Sequence, residues 1–134
     1  MVKTVGYFAR RRILKNANFL DLTPLPLYGH EVDGQGNAIV LVPRFQGFLS
    51  RRLLQPRLKN PYIKLELDDL GTATWMLLNG KTRVKDVCRA LRNQKGDKAE
   101  PVEERATRFL SQLYNQKLIV FTEILKPNHN EQST

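Results

Sequence analysis

Apolar and polar side chains alternate most regularly at residues 62–67. Ile63 and Leu65 fall on one side of an extended chain, and Lys64 and Glu66 fall on the other. Strict alternation is typical of a strand that has one buried face and one solvated face. The pattern therefore predicts a half-buried strand at Tyr62–Leu67.

A hairpin is predicted immediately before this strand. Residues 27–32 and 37–42 are its two arms, and the second is rich in β-branched side chains. Between them, the segment Asp33–Gly36 supplies two glycines, which suit the positive φ angles of hairpin turns. Together with the strand at 62–67, the hairpin predicts a three-stranded antiparallel sheet.

Three helices are predicted after the sheet, at about residues 70–78, 83–94 and 101–117. Asp68 and Asp69 are good N-cap candidates for the first helix, and Thr82 can cap the second. The second helix carries an apolar stripe with the spacing i, i+3, i+4 and i+7, formed by Val84, Val87, Cys88 and Leu91.

The apolar run at residues 118–121 predicts a short C-terminal strand that returns to the core. A run of strands followed by a run of helices is typical of an α+β fold rather than a parallel α/β sheet. The predicted architecture is therefore winged-helix-like: an N-terminal three-stranded antiparallel sheet, three helices and a short C-terminal strand.

The basic charge is concentrated in the front half of the chain. Residues 1–59 hold ten Lys or Arg and three Asp or Glu, whereas residues 60–134 hold twelve and ten. We therefore distinguish a basic N-terminal arm at 1–26, a domain at 27–122 with a basic insert at 46–60, and a polar tail at 123–134. The segment at 46–56 also fits a short amphipathic helix.

Composition limits the compartment and the chemistry. A single cysteine, Cys88, excludes an internal disulfide, and neither a signal peptide nor an apolar run near 18 residues is present, so we expect a cytoplasmic protein. His30 and His129 have no recognised metal-ligand spacing to Cys88. No catalytic constellation stands out, so the sequence predicts neither an enzyme nor a cofactor. Trp75 is expected to anchor the core, where its N–H needs an acceptor.

Three stretches resemble one family of small proteins. They are Leu67–Trp75, Leu78–Val87 and Val102–Ile119, and their order and spacing resemble the helices of PqqD-like proteins. With the hairpin, the resemblance covers about residues 27–122. It implies a stand-alone module that grips the leader segment of a precursor peptide and presents it to a modifying enzyme, such as a radical SAM enzyme or a cyclase.

The resemblance also implies where the peptide binds. In related domains an extended peptide adds to the exposed edge of the third strand and packs against the third helix, so that main-chain hydrogen bonds give affinity and side-chain pockets give selectivity. The residues implied here are Tyr62, Ile63, Lys64, Leu65, Glu66 and Leu67 on the strand, and Arg105, Arg108, Phe109, Gln112 and Gln116 on the helix.

Several alternatives stay open at the level of sequence. Phe109 also fits a core position, and Arg105 and Arg108 also fit a solvated helix face. The second and third helices could form a DNA-binding helix-turn-helix, although Glu103 and Glu104 stand where base contacts usually arise. The basic arm could bind an acidic partner or a membrane surface, an exposed strand edge could pair with a second copy, and the pathway could be pyrroloquinoline quinone synthesis or another.

Overall fold

The computed structural model describes Val5, Gly6, Phe8 and residues 18–43 and 61–125. The basic insert at 46–60, the helix predicted at 46–56, most of the arm at 1–26, and the tail from residue 126 lie outside the described residues. They stay predictions.

In these described ranges the chain forms five strands and three α-helices. Their bounds are β1 Pro24–Pro26, β2 His30–Val32, β3 Ala38–Pro43, β4 Tyr62–Glu66, α1 Asp69–Met76, α2 Val84–Lys95, α3 Val102–Asn115 and β5 Ile119–Phe121. The predicted α+β fold is confirmed: a three-stranded antiparallel sheet, three helices and a C-terminal strand follow one another.

Strands β2, β3 and β4 form the main sheet in that order, and both pairings are antiparallel. The turn between β2 and β3 is held by Asp33, whose carboxylate accepts the backbone N–H groups of Gln35 and Asn37. Along β3, Ala38 and Val40 are buried while Ile39 and Leu41 are only half-buried. One face of the sheet therefore lies against the helices and the other faces outward.

A second, two-stranded sheet joins the start of the domain to its end. Strand β1 pairs antiparallel with β5, with Pro24 opposite Phe121 and Pro26 opposite Ile119. The predicted C-terminal strand is confirmed, but its partner is β1 rather than the main sheet. The prolines of β1 disfavour helix in the residues before them, which suits this extended path.

The residues just before the predicted domain boundary pack into the same core. Leu22 is buried and its carbonyl accepts the first backbone N–H of α2, from Val84. Thr23 donates its backbone N–H and its hydroxyl to the carboxylate of Glu123, both at 2.8 Å. The boundary between residues 26 and 27 stays a prediction, yet these contacts tie residue 22 to α2 and residue 23 to the segment after β5.

The core is built from the apolar stripes of α2 and α3. Val84, Val87, Cys88 and Leu91 of α2 are all buried, as the spacing predicts. Helix α3 buries Val102, Ala106, Leu110 and Leu113, whereas its predicted core residue Phe109 is only half-buried.

Helix α3 ends in a Schellman motif that turns the chain into β5. The backbone N–H of Leu118 donates to the carbonyl of Leu113, and that of Lys117 donates to the carbonyl of Tyr114. Lys117 has a φ of 64°, the left-handed conformation that this motif requires. The buried strand Ile119–Phe121 can then start directly after the helix.

Replacing Gly80 by Ala is expected to destabilise the fold by about 1–3 kcal/mol. Gly80 has a φ of 75°, and a Cβ there would lie 2.8 Å from Cδ1 of Leu25. Urea denaturation measures the loss, and Gly34→Ala is the control because nothing lies within 4 Å of a Cβ at Gly34. Equal stability for the two variants would contradict this role of Gly80.

Candidate functional site

The outer edge of β4 is the first element of the site. In the described part of the chain, β4 pairs with β3 on one side only. Leu67 donates its backbone N–H to the carbonyl of Ala38, and the register places Leu65 opposite Val40. Hydrogen-bonded pairs alternate along an antiparallel ladder, so the backbone groups of Leu65 also face β3. The backbone N–H and C=O groups of Lys64 and Glu66 therefore point away from β3.

The side chains of β4 divide between two faces. Lys64 and Glu66 lie on the outward face, where the Lys64 ammonium stands 3.7 Å from the carboxylate of Glu31. Leu65, on the helix side, is half-buried, and Ile63 on the same side is 49% exposed. The strict alternation predicted here thus fails at Ile63, because the cover provided by the helices ends before it.

Leu67 plays a different part from the other predicted strand residues. It lies one residue beyond β4, is 8% exposed and packs in the core. Its backbone N–H is taken by Ala38. Leu67 therefore supports the strand from inside and presents no donor at the edge.

A cleft of about 330 Å³ opens beside α3. The residues that line it come from α1 and the residue before it, from α2 and α3, and from the short turn between α2 and α3: Asp68, Leu70, Gly71, Thr74, Leu91, Ala99, Val102, Arg105, Ala106, Arg108, Phe109 and Gln112. Four of the five predicted helix residues are brought together there. The fifth, Gln116, follows the last residue of α3 and does not line the cleft.

The edge of β4 and the cleft meet at Asp68. This residue follows the end of β4 by two positions and also lines the cleft. Its carboxylate caps α1 by accepting the backbone N–H of Gly71 at 2.7 Å, as the sequence predicts. The capping bond fixes the corner between strand and helix, so the edge and the cleft form adjoining surfaces.

Phe109 is both a core residue and a wall of the cleft. Its ring packs against the core cluster and comes within 3.5 Å of the position that a Cβ on Gly71 would occupy. The tighter contact of such a Cβ would be with the capping carboxylate of Asp68, whose Oδ1 lies 3.0 Å away. Gly71 thus leaves room for the cap at the base of the cleft.

Two arginines stand at the rim of the cleft. Arg105 donates from Nη1 to the carbonyl of Lys98 at 2.8 Å, and Arg108 donates from Nη2 to the carboxylate of Glu104 at 3.0 Å. The backbone carbonyl of Lys98 carries no net charge, so this hydrogen bond does not neutralise the positive charge of Arg105. An anionic group entering the cleft would meet Arg105 directly, whereas Arg108 would first have to leave Glu104.

Sequence reasoning missed the α1 wall of this cleft. Leu70 and Thr74 line it, but the sequence assigns them only to a helix next to the sheet. Their position at i and i+4 puts them on one face of α1, next to the capping residue Asp68. This spacing is a sequence signal for a shared helix face. It indicates a cleft wall only once α3 is known to pack beside α1.

The other residues singled out by the sequence have structural contacts. The indole N–H of the buried Trp75 donates to Nδ1 of His30 across 3.2 Å, which supplies the acceptor that the sequence required. Burial raises the pKa of the Cys88 thiol, and the nearby carboxylate of Glu103 raises it further while Arg92 lowers it. The thiol therefore stays protonated at neutral pH and is a poor nucleophile.

In the part of the chain that the structure describes, no group of three or more His, Cys, Asp or Glu side chains is arranged to hold a metal ion. No helix in that part combines the length and the apolar character that a bilayer crossing requires.

Comparison with known proteins supports the resemblance seen in the sequence. Residues 61–119 match the model of the PqqD family, described as coenzyme PQQ synthesis protein D. The matched segment begins one residue before β4, contains all three helices and ends at the first residue of β5. The PqqD-like identification is therefore confirmed over this segment. A search of curated proteins and a search of solved structures each found no significant match.

Proposed function

We propose that this protein is a non-catalytic peptide-binding module that captures the leader of a precursor peptide and presents it to a modifying enzyme. The observation that carries the proposal is the outer edge of β4, where the backbone groups of Lys64 and Glu66 point away from β3. An extended peptide can pair with such groups whatever its sequence, which gives affinity through main-chain hydrogen bonds.

The cleft beside α3 supplies the selectivity in this proposal. Leu70, Val102 and Phe109 give it an apolar lining, while Arg105 and Arg108 give its rim two positive charges. A peptide that leaves the β4 edge at Asp68 could place an apolar side chain in the cleft and a carboxylate at Arg105. We expect leaders that combine an apolar and an acidic residue to bind best.

The family match supports the class of partner. It covers β4 and the three helices, the elements that form the edge and the cleft. That family is described as coenzyme PQQ synthesis protein D. We propose a peptide-modifying enzyme, for example of the radical SAM type, as the second partner, and we leave the peptide product open between that pathway and another.

The charges on α3 weaken the DNA-binding alternative. Glu103 and Glu104 stand exposed in the first turn of α3, the end from which a recognition helix reads bases. Arg92 forms ion pairs with Glu100 and Glu103, so these carboxylates offset its positive charge. The basic arm and the insert at 46–60 lie outside this helix, so they can serve another anionic partner.

Titration with a precursor peptide encoded beside the gene tests the proposed function. We expect amide NMR shifts at Lys64 and Glu66, at the remaining residues of 62–67, and along α3 at Arg105, Arg108, Phe109 and Gln112. Peptide binding should depend on salt less than DNA binding, which should weaken steeply as salt rises.

A mixed-sequence DNA duplex is the control for this titration. Peptide shifts that avoid both the β4 edge and α3 would contradict the proposed site. Tight, strongly salt-dependent binding of the duplex together with no peptide binding would favour the DNA-binding function instead.

A further inference from the structure

The exposed edge of β4 is complementary to itself. Lys64 and Glu66, whose backbone groups point away from β3, carry opposite charges on the same face of the sheet. Leu65 lies between them on the helix side. A strand with this arrangement can pair with an antiparallel copy about a two-fold axis that passes midway between Leu65 and its copy.

The register of such a pairing follows from the hydrogen-bonding pattern. With Leu65 opposite the partner's Leu65, Lys64 lies opposite the partner's Glu66, and Glu66 lies opposite the partner's Lys64. Both of these are hydrogen-bonded pairs, because the outward backbone groups belong to residues 64 and 66. Each pair exchanges two bonds, so the contact contains about four main-chain hydrogen bonds.

The side chains favour the same register. Directly opposed charges of opposite sign stabilise antiparallel pairs, and this register makes two of them at once. Glu66 has no ion pair with a described residue, and the pair that Lys64 makes with Glu31 is long at 3.7 Å with both side chains about half exposed. Lys64 can therefore turn from Glu31 to the partner's Glu66 at little cost.

Apolar burial adds to these hydrogen bonds. Leu65 is half-buried and Ile63 is 49% exposed, and both lie on the helix side of the sheet. In the proposed register, Leu65 meets its own copy and Ile63 lies opposite the partner's Leu67. Pairing would cover both side chains and extend the sheet from three strands to six.

We propose that the protein self-associates through β4 and that the second copy occupies the edge until a peptide takes its place. The contact involves one strand of five residues in each copy, so it falls short of the roughly 1,200–2,000 Å² of a standard interface. The dimer is therefore weak enough for a peptide to displace the second copy. Competition with the peptide rests on the proposed function, whereas self-association does not.

Sedimentation of the full chain without any peptide tests the self-association. We expect the average mass to rise from that of a monomer towards that of a dimer between micromolar and millimolar concentration. Lys64→Glu and Glu66→Lys, each alone, should weaken association by about tenfold or more, because each turns both opposed pairs into like-charge pairs.

An equimolar mixture of the two single variants is the decisive sample. In the mixed dimer both opposed pairs again join opposite charges, so association should return to about the level of the unmodified chain. The amide N–H groups of Lys64 and Glu66 should become protected from hydrogen exchange in the associated samples. Amide NMR spectra of the separate variants verify that each is folded.

Lys81→Glu is the matched control for Lys64→Glu, because Lys81 is exposed on the turn before α2 and both substitutions change the net charge by the same amount. It should leave association unchanged. A chain that stays monomeric at millimolar concentration, or a mixture that stays monomeric while the unmodified chain dimerises, would overturn the proposal. Failure of every peptide to bind would overturn only the proposed function.

Discussion

Replacing Phe121 by Ala is expected to lower the free energy of unfolding by about 3–5 kcal/mol. Phe121 is 1% exposed and is among the largest fully buried side chains of the described chain. Its ring lies edge-on to Phe19, with 5.5 Å between centroids, and 5.1 Å from the ring of Tyr114. Truncation would leave a cavity between β5, α3 and the segment before β1.

Urea denaturation followed by circular dichroism measures this loss. Phe121→Leu keeps most of the side-chain volume and should cost clearly less, while Phe19→Ala should lie between the two because Phe19 is half-buried. A domain of this size has a total stability of about 5–15 kcal/mol, so the Ala variant should be close to unfolding. A loss below about 1 kcal/mol would mean that Phe121 is not a core anchor.

The main sheet and the helices could be predicted because their patterns are local. The hairpin needs only its glycine-containing turn, and the stripe on α2 needs only its spacing, so Val84, Val87 and Leu91 are buried as expected. The first helix needs only its cap, and Asp68 does accept the N–H of Gly71. Each signal is complete within about ten residues of sequence.

The pairing of β1 with β5 could not be predicted because nothing local encodes it. Pro24 and Phe121 are nearly a hundred residues apart, and strand segments of three residues carry no alternation to detect. The bond between Thr23 and Glu123 has the same long-range character. Such contacts appear only when the helices bring the two ends of the domain together.

The prediction that Thr82 caps α2 was wrong for a related reason. Helix α2 begins at Val84, and its N-cap position is held by Arg83 without a side-chain hydrogen bond. The carboxamide of Asn79 instead accepts the backbone N–H groups of Lys81 and Thr82. The Val84 N–H finds its acceptor in Leu22, a distant residue that replaces a local cap.

The candidate site also has a part that the sequence predicts and a part that only the structure identifies. The helical spacing places Arg105, Arg108, Phe109 and Gln112 together, and all four line the cleft. Which backbone groups of β4 face outward depends on the register with β3, and that register is a property of the pairing. The sequence therefore predicts the strand, whereas the structure identifies Lys64 and Glu66 as the residues that present its edge.

Replacing Lys64 by Pro is expected to weaken binding of the precursor peptide by about 10- to 100-fold, or about 1.4–2.8 kcal/mol. Proline removes the outward N–H of residue 64 and places its ring in the path of an added strand. The fold should tolerate the change, because proline is accepted on an edge strand where the N–H faces away from the sheet. The bonds from β4 to β3 come from the neighbouring residues and stay intact.

Lys64→Ala is the matched control, because it removes the same side chain and the same ion pair with Glu31 but keeps the N–H. Since an exposed ion pair contributes only about 0–1 kcal/mol, the Ala variant should bind the peptide within a few-fold of the unmodified chain. Isothermal titration calorimetry measures both affinities, and thermal unfolding checks both folds. In strand addition, the peptide binds the main chain of residue 64. An equal loss of peptide affinity in the Pro and Ala variants would contradict this and would assign the affinity to the lysine side chain.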